Sequence, residues 1–423
     1  MKALLLSFLL LCCGPWWSQA QQRLSLPQVQ QQAAAQLPLL KRKALAAETA
    51  KTQTANLNNN FLPQLSVNAQ ASWQSDVTAL NVGNIPGFPK IEPLSKDQYR
   101  ATLDVNQLIY DGGINRRQKE MTHLQQLLRE EEVNIALQQL KERINNLYLN
   151  VMLIDEQQQQ LNILFKDIEA GIAKVKAQVQ FGTAFRSNLA LMEAEQLKAQ
   201  QRSIELQNDR EGLLSVLALY TGQQIPADAV LEAPEVPAMV SANDISRPEL
   251  QLYQLQDSLY QLQAATVTNK LQPRISAFAN AGYGRPGLNM LKNEFAPFAT
   301  TGVRFSWNLS NFYNKNNDKI QAAINRKDIQ AQQENFVQQT TAQLRQQQSA
   351  ISKLQALIGT DKQIIALKTQ VKEAAKAQLE NGVIAASDYL REVNAEDQAR
   401  QALALHQLQL LQALLNYSTT AGK

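Results

Sequence analysis

A long stretch with no proline, from Asn115 to Gln180, constrains this chain more than any other feature, and its only glycine is Gly171. Its apolar residues fall at alternating spacings of three and four: Leu137, Leu140, Ile144, Leu147, Val151, Ile154, then Leu161, Phe165, Ile168, Ile172, Val175 and Val179. One beat is missed, at Gln158. A 3.5-residue repeat keeps one narrow apolar seam facing a partner helix, the condition for a coiled coil. At 1.5 Å per residue such a helix reaches roughly 100 Å. The positions between the beats are mostly Gln, Asn, Lys and Glu, so its other faces meet water. A rod buried on one stripe cannot be the centre of a compact globule. It needs long neighbours.

Composition agrees with rods. Aromatics make up only 6% of the 423 residues, against 44% apolar residues overall, as expected when seams are filled by Leu, Ile and Ala. A net charge of +4 gives no strong pull on nucleic acid or anionic lipid. At the N-terminus, Lys2, the apolar run Ala3 to Cys12 and Ser18-Gln19-Ala20 predict a secretory signal peptide over 1–20. The run is too short for a transmembrane anchor. Lipoprotein processing would need a small residue before Cys12 or Cys13, and Leu11 and Cys12 stand there. Both cysteines lie in the signal, so the mature chain is expected to have no disulfide and no thiolate metal site. No later segment holds 18 consecutive apolar residues, which leaves a β-barrel as the way such a chain could enter a membrane.

Four segments have period two. Leu65, Val67, Ala69, Ala71 and Trp73 alternate with wholly polar residues. Tyr99, Ala101, Leu103, Val105 and Ile109 do the same, and so do Ile275, Ala277, Ala279, Ala281 and Tyr283. The last runs Ala299, Thr301, Val303, Phe305, Trp307 and Leu309, with Thr300, Gly302, Arg304, Ser306 and Asn308 facing the other way. These predict strands over about 64–74, 98–110, 274–284 and 298–309. A second proline-free run spans Tyr313 to Glu380, but Asp361 and Lys368 interrupt its seam. Asp111 and Asn311, Gly182 and Gly382, and Ser187 and Ser387 all sit 200 positions apart. The chain therefore reads as a duplication. Repeat 1 covers 21–221, a proline-rich linker 222–246, and repeat 2 covers 247–423. Each repeat has the order helix, strand, strand, long helix, turn, helix. The leading and returning helices together roughly match the long one, so each half reads as one long helix beside two shorter ones.

Four strands cannot close a membrane barrel, and open edges in lipid cost several kcal/mol per unpaired group. Two chains would give eight strands and a barrel filled by side chains; three give twelve and room for a lumen. The polar inner face favours three. Trp73, Tyr99, Tyr283, Phe305 and Trp307, near strand ends on the apolar face, suit an interfacial aromatic girdle.

The duplicated plan is carried by Leu37-Pro38, Arg247-Pro248-Glu249-Leu250, Leu62-Pro63-Gln64-Leu65, Gln107-Leu108-Ile109-Tyr110-Asp111-Gly112-Gly113 and the two glycine-containing turns. Together they resemble the TolC family of outer-membrane efflux proteins over essentially the whole mature chain. That resemblance implies a mainly α fold with a transmembrane β-barrel portion: a homotrimer whose long α-helical barrel is continuous with a 12-stranded β-barrel. It further implies a passive duct for efflux or type I secretion in the Gram-negative outer membrane, extending into the periplasm. A periplasmic adaptor and an inner-membrane pump of RND or ABC type would be its partners, with no cofactor. The alternative from another class is a periplasmic coiled-coil adaptor or scaffold, which should lack amphipathic strands.

The resemblance also selects residues. Periplasmic tips are expected over about 181–187 and 381–387, with Gly182, Thr183, Gly382 and Val383 as turns and docking surface. Asp388, six after Gly382, matches a pore-narrowing acid of similar proteins, while Arg391 stands where some have a second. Asn188 occupies the corresponding place in repeat 1, and Ile384 replaces an arginine that locks some tips. Ser187 and Ser387 open the returning helices, and Ser387 could cap its helix in place of any gating role for Asp388. Gly282-Tyr283-Gly284-Arg285-Pro286-Gly287 matches a nucleotide-loop pattern, but a strand rather than a helix follows it, so it is read as a strand end. His123 and His406 lack metal-site or catalytic partners in sequence, and no nucleophile motif occurs. An enzyme is not indicated.

Overall fold

The computed structural model describes residues 23–78, 93–235 and 244–423. The expected signal peptide, 1–20, lies outside the described residues, as do parts of the loop after the first strand and of the linker. In order the elements are β1 (Arg23–Leu24), α1 (Leu26–Gln36), α2 (Leu40–Asn59), β2 (Gln64–Trp73), β3 (Asp97–Tyr110), α3 (Ile114–Gln180) and α4 (Arg186–Thr221). After β4 (Val230–Leu231) come α5 (Pro248–Asn269), β5 (Arg274–Arg285), β6 (Ala296–Ser306), α6 (Asn311–Glu380) and α7 (Ala386–Ala421). The series α2-β2-β3-α3-α4 thus recurs as α5-β5-β6-α6-α7. The two starts differ: Pro248 is the first residue of α5, whereas α2 begins two residues after Pro38.

The described chain forms two compact units. One comprises residues 41–133 and 249–335 and holds the four-stranded sheet, ordered β2-β3-β5-β6 and antiparallel throughout. Directly opposed residues share a face, and the register pairs Ala69 with Ala101, Ala101 with Tyr283 and Tyr283 with Pro297. The Asp111-Gly112-Gly113 junction is explained by bonding as much as by dihedrals. Both glycines have positive φ, 75° and 80°, and the Asp111 carboxylate accepts from the Gly113 and Asn115 amides at 2.8 and 2.6 Å. At the second junction Asn308 does this work, accepting from the Ser310 amide, while Asn311 donates to the Lys270 carbonyl.

The other unit comprises residues up to 40, 134–248 and 336–423. Here the predicted seam of α3 is buried: Ile154, Leu161, Ile168 and Val175 pack with Met192, Ala199 and Leu206 of α4 and with Tyr389, Leu390 and Val393 of α7. Gln158, the missed beat, donates to the Ser203 hydroxyl of α4 at 3.0 Å. Gly171 lies where a Cβ would collide with the Met192 methyl and approach the Tyr389 ring, so its lack of a side chain admits both neighbours. A second cluster gathers Leu26 and Val29 of α1, Ile144, Tyr148 and Val151 of α3, and Leu214 and Leu217 of α4 beside the parallel β1–β4 pair. The Tyr148 hydroxyl sits 2.6 and 2.7 Å from the Leu24 and Glu232 carbonyl oxygens.

The interruptions in the α6 seam have partners. Asp361 is buried and lies 2.6 Å from Nδ1 of His406 on α7. Lys372, also buried, meets Asp167 of α3 at 2.9 Å and Glu396 of α7 at 2.6 Å. Lys368 reaches Glu392 at 3.8 Å. Burial opposes the charge on Lys372, but its bonds to Glu396 and Asp167 outweigh that and raise its pKa. Burial likewise pushes Glu396 up, and donors from Lys372, Thr369 and Arg400 more than reverse it, leaving the carboxyl below its ordinary value.

Candidate functional site

Two helical turns and one sheet face carry the candidate residues. In the first turn the Gly182 amide bonds to the Val179 carbonyl at 3.1 Å and the Thr183 amide to the Gln178 carbonyl at 2.8 Å. In the second, Gly382 and Val383 repeat both bonds to Leu379 and Gln378 at the same two distances. This six-to-one and five-to-two pattern is the Schellman motif, with glycine in the left-handed region at φ 74° and 69°. Gln178 donates to the Leu379 carbonyl at 2.9 Å, tying the end of α3 to the end of α6. Phe181 and Phe185 of the first turn and Val383 of the second are exposed.

Beyond the turns the two returning helices start alike and then diverge. Their N-caps are Phe185 and Ala385, and neither makes a side-chain capping bond. Ser387 is therefore the second residue of α7 and does not cap it, which corrects that part of the sequence reading; Ser187 holds the same place in α4. Asp388 falls in the first turn of α7, where the helix dipole favours a carboxylate, and it lies 3.4 Å from Arg391. Arg391 in turn meets Glu392 at 3.2 Å. Asn188 takes the equivalent place in α4, so the acid is confined to the second repeat.

On the sheet, the odd-numbered apolar face is open: Leu65, Val67, Leu103 and Val303 are all exposed. Its aromatics lie at two levels. Trp73, Tyr99 and Tyr283 stand at the loop end, where Phe295 stacks on both tyrosines with centroids 6.2 and 5.7 Å away. Phe305 and Trp307 stand at the helix end, and the Trp307 indole donates to the Leu271 carbonyl at 2.9 Å. The even-numbered face is polar. There Asp104 accepts from Asn68, Thr102 and Asn280, joining three strands.

Two sets of groups remain without neighbours in a single chain. β2 and β6 are edge strands. Leu197 and Ile204 of α4 are exposed on the side opposite its core residues Ala199 and Leu206, and Leu357, Ile364, Leu367 and Val371 are exposed along α6. Both stripes include residues seven apart, the coiled-coil spacing. Among the described residues no helix is long and apolar enough to cross a membrane, and no group of three His, Cys, Asp or Glu side chains could hold a metal ion.

Neither a family model nor a curated protein matches the sequence. Solved structures do match. The outer membrane protein VceC of Vibrio cholerae is 16% identical with a TM-score of 0.68, covering 94% of this chain and 96% of that one. The fold is that of the outer-membrane channels. The Campylobacter jejuni CmeC outer membrane channel gives 15% identity and a TM-score of 0.67 over 94% of this chain and 85% of its own. The Neisseria gonorrhoeae MtrE channel, solved in its open state, gives 17% and 0.68 over 94% and 88%. With so little shared sequence, what is common to this channel fold is the order and packing of elements. Periodicity did not single out Lys372, Asp167, Glu396, Phe278 or Phe298. For the two phenylalanines a signal existed: they are aromatics in the even-numbered register of otherwise polar strands.

Proposed function

We propose that this chain is the passive channel subunit of an efflux or type I secretion system. Three copies would close into a homotrimer in the Gram-negative outer membrane and reach into the periplasm. The observation that carries this is the amphipathic sheet with two free edges. Its order makes β2 and β6 run in opposite directions, so β6 of one copy can continue antiparallel onto β2 of the next, and three copies give twelve strands without an edge. The open stripes on α4 and α6 support the same head-to-tail closure, because two different surfaces on one subunit pair in a ring. The odd-numbered face would meet lipid, with the girdle residues Trp73, Tyr99, Tyr283, Phe305 and Trp307 at its two margins. From Ile275 to Tyr283 the strand rises about 27 Å, or roughly 20 Å once tilted, close to an outer-membrane apolar band.

In this reading the chain does no chemistry and is energised by an inner-membrane pump through a periplasmic adaptor. The exposed turns at Gly182-Thr183 and Gly382-Val383 are the docking surface. Asp388 forms a three-membered acidic ring that favours cations, with Arg391 beside it and Asn188 in the alternate positions. A coiled-coil adaptor is disfavoured by the amphipathic strands, which it would not need. The test is planar-bilayer conductance of the detergent-extracted protein. A cation-preferring trimeric pore is expected, with that preference reduced several-fold in Asp388→Ala. A water-soluble monomer without conductance would sink the channel, and unchanged selectivity in Asp388→Ala would reject the ring.

A further inference from the structure

The Gly282-Tyr283-Gly284 motif is not absorbed by channel closure, and the even-numbered sheet face shows what it does. Phe298 of β6 is opposite Gly282 of β5, and its ring lies where a Cβ at Gly282 would be, 2.7 Å from that point. Unobstructed, the ring reaches across β5 to Arg100 of β3, which pairs with Gly284 and holds its guanidinium carbon 5.2 Å from the ring centroid. A second copy of the device lies further along. Phe278 of β5 is opposite Gly302 of β6, with its ring edge 3.0 Å from the place of a Cβ, and Arg304 stands 5.0 Å from that centroid. Two glycine gaps therefore each seat a phenyl ring under a guanidinium.

Both arginines are exposed, and neither forms an ion pair among the described residues. The acid of this face, Asp104, is already bonded to Asn68, Thr102 and Asn280. A guanidinium resting on a ring is fixed in orientation, weakly hydrated and free to present its outer plane and edge. The edge fits a carboxylate or sulfonate in a bidentate manner, and the plane fits an aromatic ring. We infer that Arg100 on Phe298 and Arg304 on Phe278 form a binding band for aromatic organic anions on the polar face of the sheet. Resting on the channel reading, this face lines the lumen, and three copies set six such plates around it. The strand region then favours anions while Asp388 favours cations, so the two ends of the path select differently.

The test is a fluorescence-anisotropy titration of pyrenetetrasulfonate against the detergent-extracted full chain, with inorganic sulfate as competitor. The wild type should bind the dye, and Arg100→Gln with Arg304→Gln should weaken binding at least tenfold. Gly302→Ala keeps every charge but displaces the Phe278 ring, and should weaken binding about threefold; it carries the test if the double variant does not fold. Arg326→Gln, which breaks a bidentate pair with Asp257 away from the sheet, should change nothing. Undiminished binding by the double variant would overturn the band. So would sulfate competing as well as the dye at equal charge, since the rings would then play no part. A wild type that binds the dye yet conducts no ions would overturn the channel reading alone.

Discussion

The two long helices occupy matching places in the duplication and are held by different physics. Toward its C-terminal end α3 buries Ile154, Leu161, Ile168 and Val175, an apolar seam relieved once by Gln158. The corresponding stretch of α6 buries Asp361 and Lys372 among apolar Leu354, Ala375 and Leu379, and adds ions and hydrogen bonds to its apolar contact with α7. An apolar seam that repeats every seven residues is tolerant of a slip by one whole repeat. A buried ion pair is not, since a slip leaves a charge without water or partner. The first repeat thus supplies adhesion and the second supplies register. The bond that Lys372 donates to Asp167 joins the two, as does that from Gln178 to the Leu379 carbonyl.

The comparison can be broken most severely at Glu396. Glu396→Ala takes from Lys372 its closest carboxylate, leaving Asp167, and frees Arg400, and should cost about 3–5 kcal/mol in urea unfolding. Replacing Glu396 and Lys372 together by Leu and Met should cost less than that single change. If the pair of substitutions proves worse, register is not what the charges supply. In the apolar seam, Ile168→Ala should cost about 2–4 kcal/mol, with no dependence on salt. The turns come next. Gly182→Ala and Gly382→Ala meet no atom within 4 Å, so each should cost only about 1 kcal/mol, from positive φ alone. Unequal costs would show that the two turns are not equivalent.

The smallest effect is a pH dependence next to Glu396. Asp397 is pushed by burial up to about 6 from 3.8, against a hydrogen bond from Gln401. An acid whose folded pKa is raised binds more protons folded than unfolded, so its contribution to stability falls as pH rises from about 4 to 6. Glu396 is shifted the other way, and its contribution is lost as pH falls below its ordinary value. Asp397→Asn should therefore gain on the wild type across that window, by about 1 kcal/mol at pH 8, and match it near pH 4. A constant difference would remove Asp397 as the source.

Much of this was legible because it is periodic. Spacings of three and four placed the buried face of α3, period two placed the strand faces, and glycines 200 residues apart placed both turns. What could not be read is what joins distant segments. Asp167 and Lys372 are 205 positions apart, and neither has a local pattern that names the other. Asp361 and Lys368 looked like flaws in a seam, because their partners His406 and Glu392 lie on another helix. Ser387 looked like a cap because serine caps well, but the backbone enters α7 two residues earlier at Ala385. The rings of Phe278 and Phe298 were hidden by the same averaging that made their strands recognisable as polar on one side.

The placement of tryptophan has a practical consequence. The chain has four, and Trp16 and Trp17 belong to the segment expected to be removed. The two that remain, Trp73 and Trp307, stand at opposite ends of the sheet, one by the loops and one anchored to Leu271 beside the helices. A single-tryptophan variant of either kind becomes a fluorescent ruler. Brominated lipids labelled at graded depths would quench each indole from its own leaflet, and the pair would report how deeply the sheet sits and which way up it was inserted.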